Sequence, residues 1–366
     1  MANRSEDPTR RPHGPSTVPT QRGGWLTRGV EGRFSAYLMG NGEVLRWTEG
    51  TDGRWSGPVS LGGGGLHPIL SVGQGEDRYV HLVGLRPVAD ADQEDHVELV
   101  HSTQFQTGRP AVEWRSIQHS NGKSHPWTGN PAVAVDARGR AYVFTKNGGG
   151  GLSVRAQKDG GGWHPWWDLW GNRSDPSPVA ATNGAGFVEL LSAKPEGLLR
   201  YEQQESGGKP VRHDVVPASV TFGTLAAVTG PSGHVTLFYL DDAQRVCVWS
   251  PGRSLAPTPF LDAVGTGPLA ATPCRIDGFD CTVLAQQSAD GRLALVAFPA
   301  EQETAAGKWT ETGEAHGPLT TTLAQGLDGG LVAMTMAEGA SGPLLLTMRQ
   351  KTASDGFQLG AWNRLT

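Results

Sequence analysis

The sequence predicts an all-β protein, a seven-bladed β-propeller with four antiparallel strands in each blade. Three observations predict it: a short strand of small residues that recurs along the chain, a spacing between copies that suits a propeller blade, and a composition built for turns rather than helices.

The recurring strand reads PILSVG (68–73), PAVAVD (131–136), PVAATN (178–183), TLAAVTG (224–230), PLAATP (268–273) and LTTTLAQG (319–326). Successive copies start 44 residues apart at the closest (224 to 268) and 63 at the widest (68 to 131). A four-stranded blade takes roughly 40–50 residues. After each copy comes a turn (GQGED, DARGR, NGAG, GPSGH, CRIDGFD, LDGG) and then an apolar strand such as AYVFTK, FVELLSA or HVTLFYL. A third strand follows, such as LSVRAQK or RVCVWSP, and a fourth is often opened by tryptophan: WRSIQ, WHPWWDL, WTETG and WNRLT. The N-terminal segments GWLTRGV, FSAYLMG, EVLRWTE and WSGPVSL supply the seventh blade. Small side chains suit the innermost strands, which crowd around the axis, and ring closure removes the exposed sheet edges.

Composition agrees. Of 366 residues, 52 are Gly and 25 Pro, an excess that many tight turns explain. The domain expected is a single propeller over residues 23–366. Residues 1–22 mix Pro, Ser, Thr and charges with no apolar run, so a disordered tail is expected there. A formal charge of −5 gives no basic face for nucleic acid. The sequence shows neither a secretory leader nor an apolar run long enough to span a membrane, which places the expected protein in the cytoplasm. Three cysteines (Cys247, Cys274, Cys281) have no zinc spacing, so no metal and no cofactor are expected. Asp241-Asp242 lacks EF-hand spacing and reads as a solvated loop. The sequence leaves the oligomeric state open.

The stretch EVLRWTEGTDGRWSGPVSLGGG, beginning at Glu43, and the stretch GGGWHPWWDLWGN (160–172) resemble the repeat of the seven-bladed PLL-type bacterial lectins. That resemblance implies fucose-type sugars held between blades against paired tryptophan rings. Blades four and five (KPVRHDVVPA, RSLAPTPFLDA) lack the tryptophan motif. Propellers related to these also occur among bacterial natural-product enzymes, a likeness of fold alone.

Two sets of candidate site residues follow. In a propeller the loops leading into each innermost strand share a face with the loops between second and third strands. That face carries His67, His125, Arg86, Asp175 and His316, a set able to do acid–base chemistry if the histidines converge on the axis. A ligand-binding set comprises Trp47, Trp127, Trp166, Trp167 and Arg173, because an exposed indole stacks well on a sugar ring. Inter-blade packing is the competing use of each tryptophan. The expected function is a lectin-like propeller that binds a glycan or other small ligand. The alternatives are an intracellular biosynthetic enzyme with one pocket at the mouth, and a protein-interaction scaffold.

Overall fold

The structure, a computed structural model, describes residues 20–21, 24–88, 97–120, 128–313, 318–339, 342–351 and 356–365. Their strands form seven sheets in which successive strands of a blade pair antiparallel, except that in blade 4 Val211–Arg212 and Val216–Pro217 both pair with Gly197–Glu202. Blade 1 comprises Leu26–Arg28, Phe34–Gly40, Glu43–Glu49 and Trp55–Ser60. Blades 2 to 7 open with innermost strands Ile69–Gln74, Ala132–Val135, Val179–Thr182, Ala226–Thr229, Ala270–Ile276 and Pro318–Gln325, each on one of the six recurring segments. A single 3-10 turn, Glu303–Ala305, is the one helical element among the described residues. None of their helices is long and apolar enough to cross a membrane.

Seven buried clusters fill the seven seams between neighbouring blades. Val235–Leu240 shows how: Leu237 and Tyr239 join the cluster shared with blade 4, while Phe238 and Leu240 join the one shared with blade 6. Successive strand residues point to opposite faces, and both faces of a blade are covered, so the middle strands read as unbroken apolar runs.

Around the axis the small residues do more than fit. The Thr182 hydroxyl donates to the Val135 carbonyl of the preceding blade at 2.6 Å, and Thr229 donates to Thr182 at 2.7 Å. Ser71 donates likewise to Pro131 of the following blade. At the inner turns Gly184 N–H donates to the Gly233 carbonyl at 2.8 Å, and a Cβ on Gly184 would lie 2.5 Å from the Gly233 Cα. No side chain fits there.

The ring closes without a shared blade: blade 7 is built from C-terminal strands alone. Trp25, Leu26, Phe34 and Ala36 of the first blade pack on Val332, Met334 and Met336 of the last. The Arg28 guanidinium donates to the Gln325 carbonyl at 2.9 Å, and Arg349 pairs with Glu49. Thr20–Gln21, within the segment expected as a tail, pair in parallel with Ile69 and Leu70 of blade 2. Residues 1–19 lie outside the described residues.

Three local details differ from expectation. CRIDGFD is mostly strand, because the turn is only Asp277-Gly278 and Cys274 sits directly opposite Cys281. WHPWWDL contributes just Trp167–Asp168 to its sheet. Asp241 is buried rather than solvated: it accepts the backbone N–H groups of Ala243 and Arg245 and pairs with the Arg245 guanidinium at 2.7 Å. Burial opposes its charge, yet the N–H and guanidinium of Arg245 hold the carboxyl below its ordinary pKa.

Candidate functional site

The antiparallel order sends the turns after first and third strands to one face, and the turns after second strands and the loops between blades to the other. His67, Arg86, Arg173 and Asp175 all belong to that second face. His125, His316 and Trp127 lie outside the described residues. His67 is half-buried, its backbone N–H bound to the Leu85 carbonyl at 2.8 Å, and burial lowers its imidazole pKa. Arg86 gives Nε and Nη2 to one oxygen of Glu98, at 2.9 and 2.6 Å. Asp175 is fully buried: one oxygen accepts the Ser177 N–H and the other the Gly223 N–H, each at 2.8 Å. It therefore ties the loop into blade 4 to the loop into blade 5. Arg173, exposed at the surface, pairs with Glu196, which also meets Lys194 at 3.3 Å.

The tryptophans follow a rule that periodicity alone does not reveal. Three at the fourth strands reach back one blade with the indole N–H: Trp114 to the Leu61 carbonyl (2.9 Å), Trp166 to Ile117 (3.1 Å) and Trp309 to Asp262 (2.8 Å). Trp362 reaches the Thr312 hydroxyl at 3.3 Å. Trp167 is half-buried against the cluster between blades 3 and 4, and Trp47 against the one between blades 7 and 1. Trp170 is the exception, 67% exposed and with φ at 63°.

A groove of about 550 Å³ opens between the outer strands of blades 6 and 7. Met348, Phe357, Leu359 and Trp362 give it an apolar lining, and Thr310 and Glu311 add polar groups. A second hollow of about 450 Å³ sits at the junction of blades 7 and 1. Its Arg33 and Arg349 are already paired with Glu31 and Glu49.

Sequence reading missed a buried pair in blade 2. His81 Nδ1 lies 3.0 Å from His101 Nε2, the rings stack with centroids 5.3 Å apart, and Trp163 of blade 3 meets His101 edge-on. Burial pushes their pKa values down to about 4 and about 3. The alternating strand pattern does place both on the face turned to blade 3, but a lone histidine in a strand gives no sign of its partner. Among the described residues no three His, Cys, Asp or Glu side chains group to hold a metal ion.

No protein-family model and no curated protein matches the sequence. Solved structures do. The chain shares its fold with a bacterial lectin. That protein is the BP39L lectin from Burkholderia pseudomallei, with a TM-score of 0.67 at 14% identity over 93% of this chain and 96% of that one. AofleA from Arthrobotrys oligospora follows at 0.53 and 10% identity, with 94% of each chain covered. The Hadza microbial sialidase Hz136 gives 0.51 at 12% identity, over 81% of this chain and 69% of its own. The likeness to the BP39L lectin is one of architecture, and it runs nearly end to end in both chains.

Proposed function

We propose that this chain is a lectin-like propeller that binds a glycan in the groove between blades 6 and 7. The observation that carries the reading is that groove, which sets the indole of Trp362 and the ring of Phe357 beside Thr310 and Glu311. A sugar needs this pairing, because its C–H face stacks on an aromatic ring while its hydroxyls seek hydrogen-bond partners. The lectin architecture supports the reading, and so does the apolar character of the groove next to a carboxylate.

Calorimetric titration with a panel of neutral monosaccharides, fucose and galactose among them, tests it. The expected result is millimolar or tighter binding that Trp362→Ala weakens about tenfold, the effect of losing one stacking contact. Because Trp362 also joins blades, Glu311→Ala is the companion variant: it should weaken binding at an unchanged melting temperature. Absence of binding by every sugar at millimolar concentration overturns the reading.

A further inference from the structure

Blade 4 carries no tryptophan in its fourth strand, and what stands there instead is cationic. Arg212 lies opposite Tyr201, on the face of the blade that packs on blade 3. Lys194 shares that face, since Leu190 pairs with Tyr201 and Lys194 stands four residues further along the same strand. The loop before blade 4 adds Arg173, and blade 3 contributes Lys146 from the end of its second strand.

The cations are offset only in part. Glu196 bridges Arg173 and Lys194. Asp175, whose oxygens also accept backbone N–H groups, offsets the charge of Lys146, and Asp168 accepts the Trp170 N–H at 2.8 Å. Arg212 is exposed and forms no ion pair with any described residue. Burial lowers the Lys194 pKa, and Arg212 and Arg173 lower it further by repulsion. In a protein whose net charge is −5 this seam gathers cations that repel one another, and a bound anion would lower that repulsion. The exposed indole of Trp170 stands at the rim of the same seam, its carbonyl accepting the Tyr201 hydroxyl at 3.1 Å.

We propose that the seam between blades 3 and 4 is a second binding site, selective for a saccharide with an anionic substituent, a carboxylate or a sulfate. The anion sits among Arg212, Lys194 and Arg173, and the sugar ring lies on Trp170. Guanidinium groups suit both anions, because their planar donors match two oxygens at once. The inference rests on the glycan-binding reading and adds an acidic ligand class at a separate site.

Calorimetry with a glucuronate-terminated disaccharide, a galactose-6-sulfate disaccharide, their neutral parents and inorganic sulfate tests it, on the full chain and on the variants Arg212→Met, Trp170→Ala and Trp362→Ala. Both or either of the acidic sugars should bind about tenfold or more tightly than its parent, with affinity falling as salt rises. Which of the two binds identifies the anion. Arg212→Met should remove that preference at an unchanged melting temperature, Trp170→Ala should weaken binding, and Trp362→Ala should leave it intact. Equal affinity for acidic and neutral sugars, or indifference to Arg212→Met, overturns the proposal while the groove at Trp362 keeps its own test. Loss of acidic binding in Trp362→Ala assigns the ligand to that groove and overturns it too. Binding of sulfate ion without either sugar leaves a bare cation cluster and also overturns it.

Discussion

Arg349 of the last blade donates to the Glu49 carboxylate of the first, joining residues 300 positions apart across the closure of the ring. Glu49 is 9% exposed, and its other oxygen takes the Phe34 N–H at 3.2 Å, while the Arg349 guanidinium lies 5.3 Å from the Phe34 ring centroid. A ring with no shared blade depends on such contacts. Arg349→Leu should cost about 1–3 kcal/mol, the usual result of leaving a buried carboxylate with one partner fewer. Urea unfolding measures the loss, and a double-mutant cycle with Glu49→Gln should show coupling between the two changes. Additive effects would mean the closure is held by the apolar cluster alone.

The indole latches give a second expectation. Trp309→Phe keeps an aromatic ring in the seam between blades 5 and 6 but leaves the Asp262 carbonyl without its donor, and should cost about 1 kcal/mol. Trp309→Ala also removes half-buried apolar area and should cost about 2 kcal/mol or more. Thermal unfolding of the two variants should rank them in that order below the parent.

Acid should weaken the fold through blade 2. With pKa values of about 4 for His81 and about 3 for His101, against an ordinary value near 6.5, both imidazoles are neutral in the native state. The unfolded chain binds protons there first. Their contribution to stability is thus complete above about pH 6.5 and declines as pH falls towards 4, by up to about 1.4 kcal/mol per pH unit for each imidazole. Asp77 is the carboxylate whose charge works against the shift at His81. Denaturant midpoints between pH 6.5 and 5 should fall steadily. His101→Gln should flatten that slope, and an unchanged slope would place the acid sensitivity elsewhere.

At the axis, Gly184→Ala should be damaging. The added methyl would meet backbone atoms of Gly233, and backbone cannot move aside as a flexible side chain can. A loss of about 1–3 kcal/mol is expected from overpacking of this kind. Gly64→Ala, where a Cβ meets nothing within 4 Å, is the control and should be close to neutral in the same melt.

The blade count and the innermost strands are legible along the chain, since a repeat of small residues at blade spacing has one architectural solution, and each blade must bury both faces on its neighbours. So is the preference of the fourth strands for tryptophan. What the side chains do depends on contacts between blades. Asp175 stands in a loop among polar residues, and whether it acts as a base or as a brace depends on Ser177 beside it and on Gly223, 48 residues away, whose N–H groups it accepts. By sequence Trp166 suits a ligand or packing between blades, and only the neighbouring blade reveals that its indole N–H donates to the Ile117 carbonyl. His81 and His101 are twenty residues apart on neighbouring strands, and cross-strand register made them a pair. The period of the repeat fixes which residues lie on which strand. Hydrogen bonds and burial across a seam depend on the neighbouring blade, and no repeat read along a single blade contains that information.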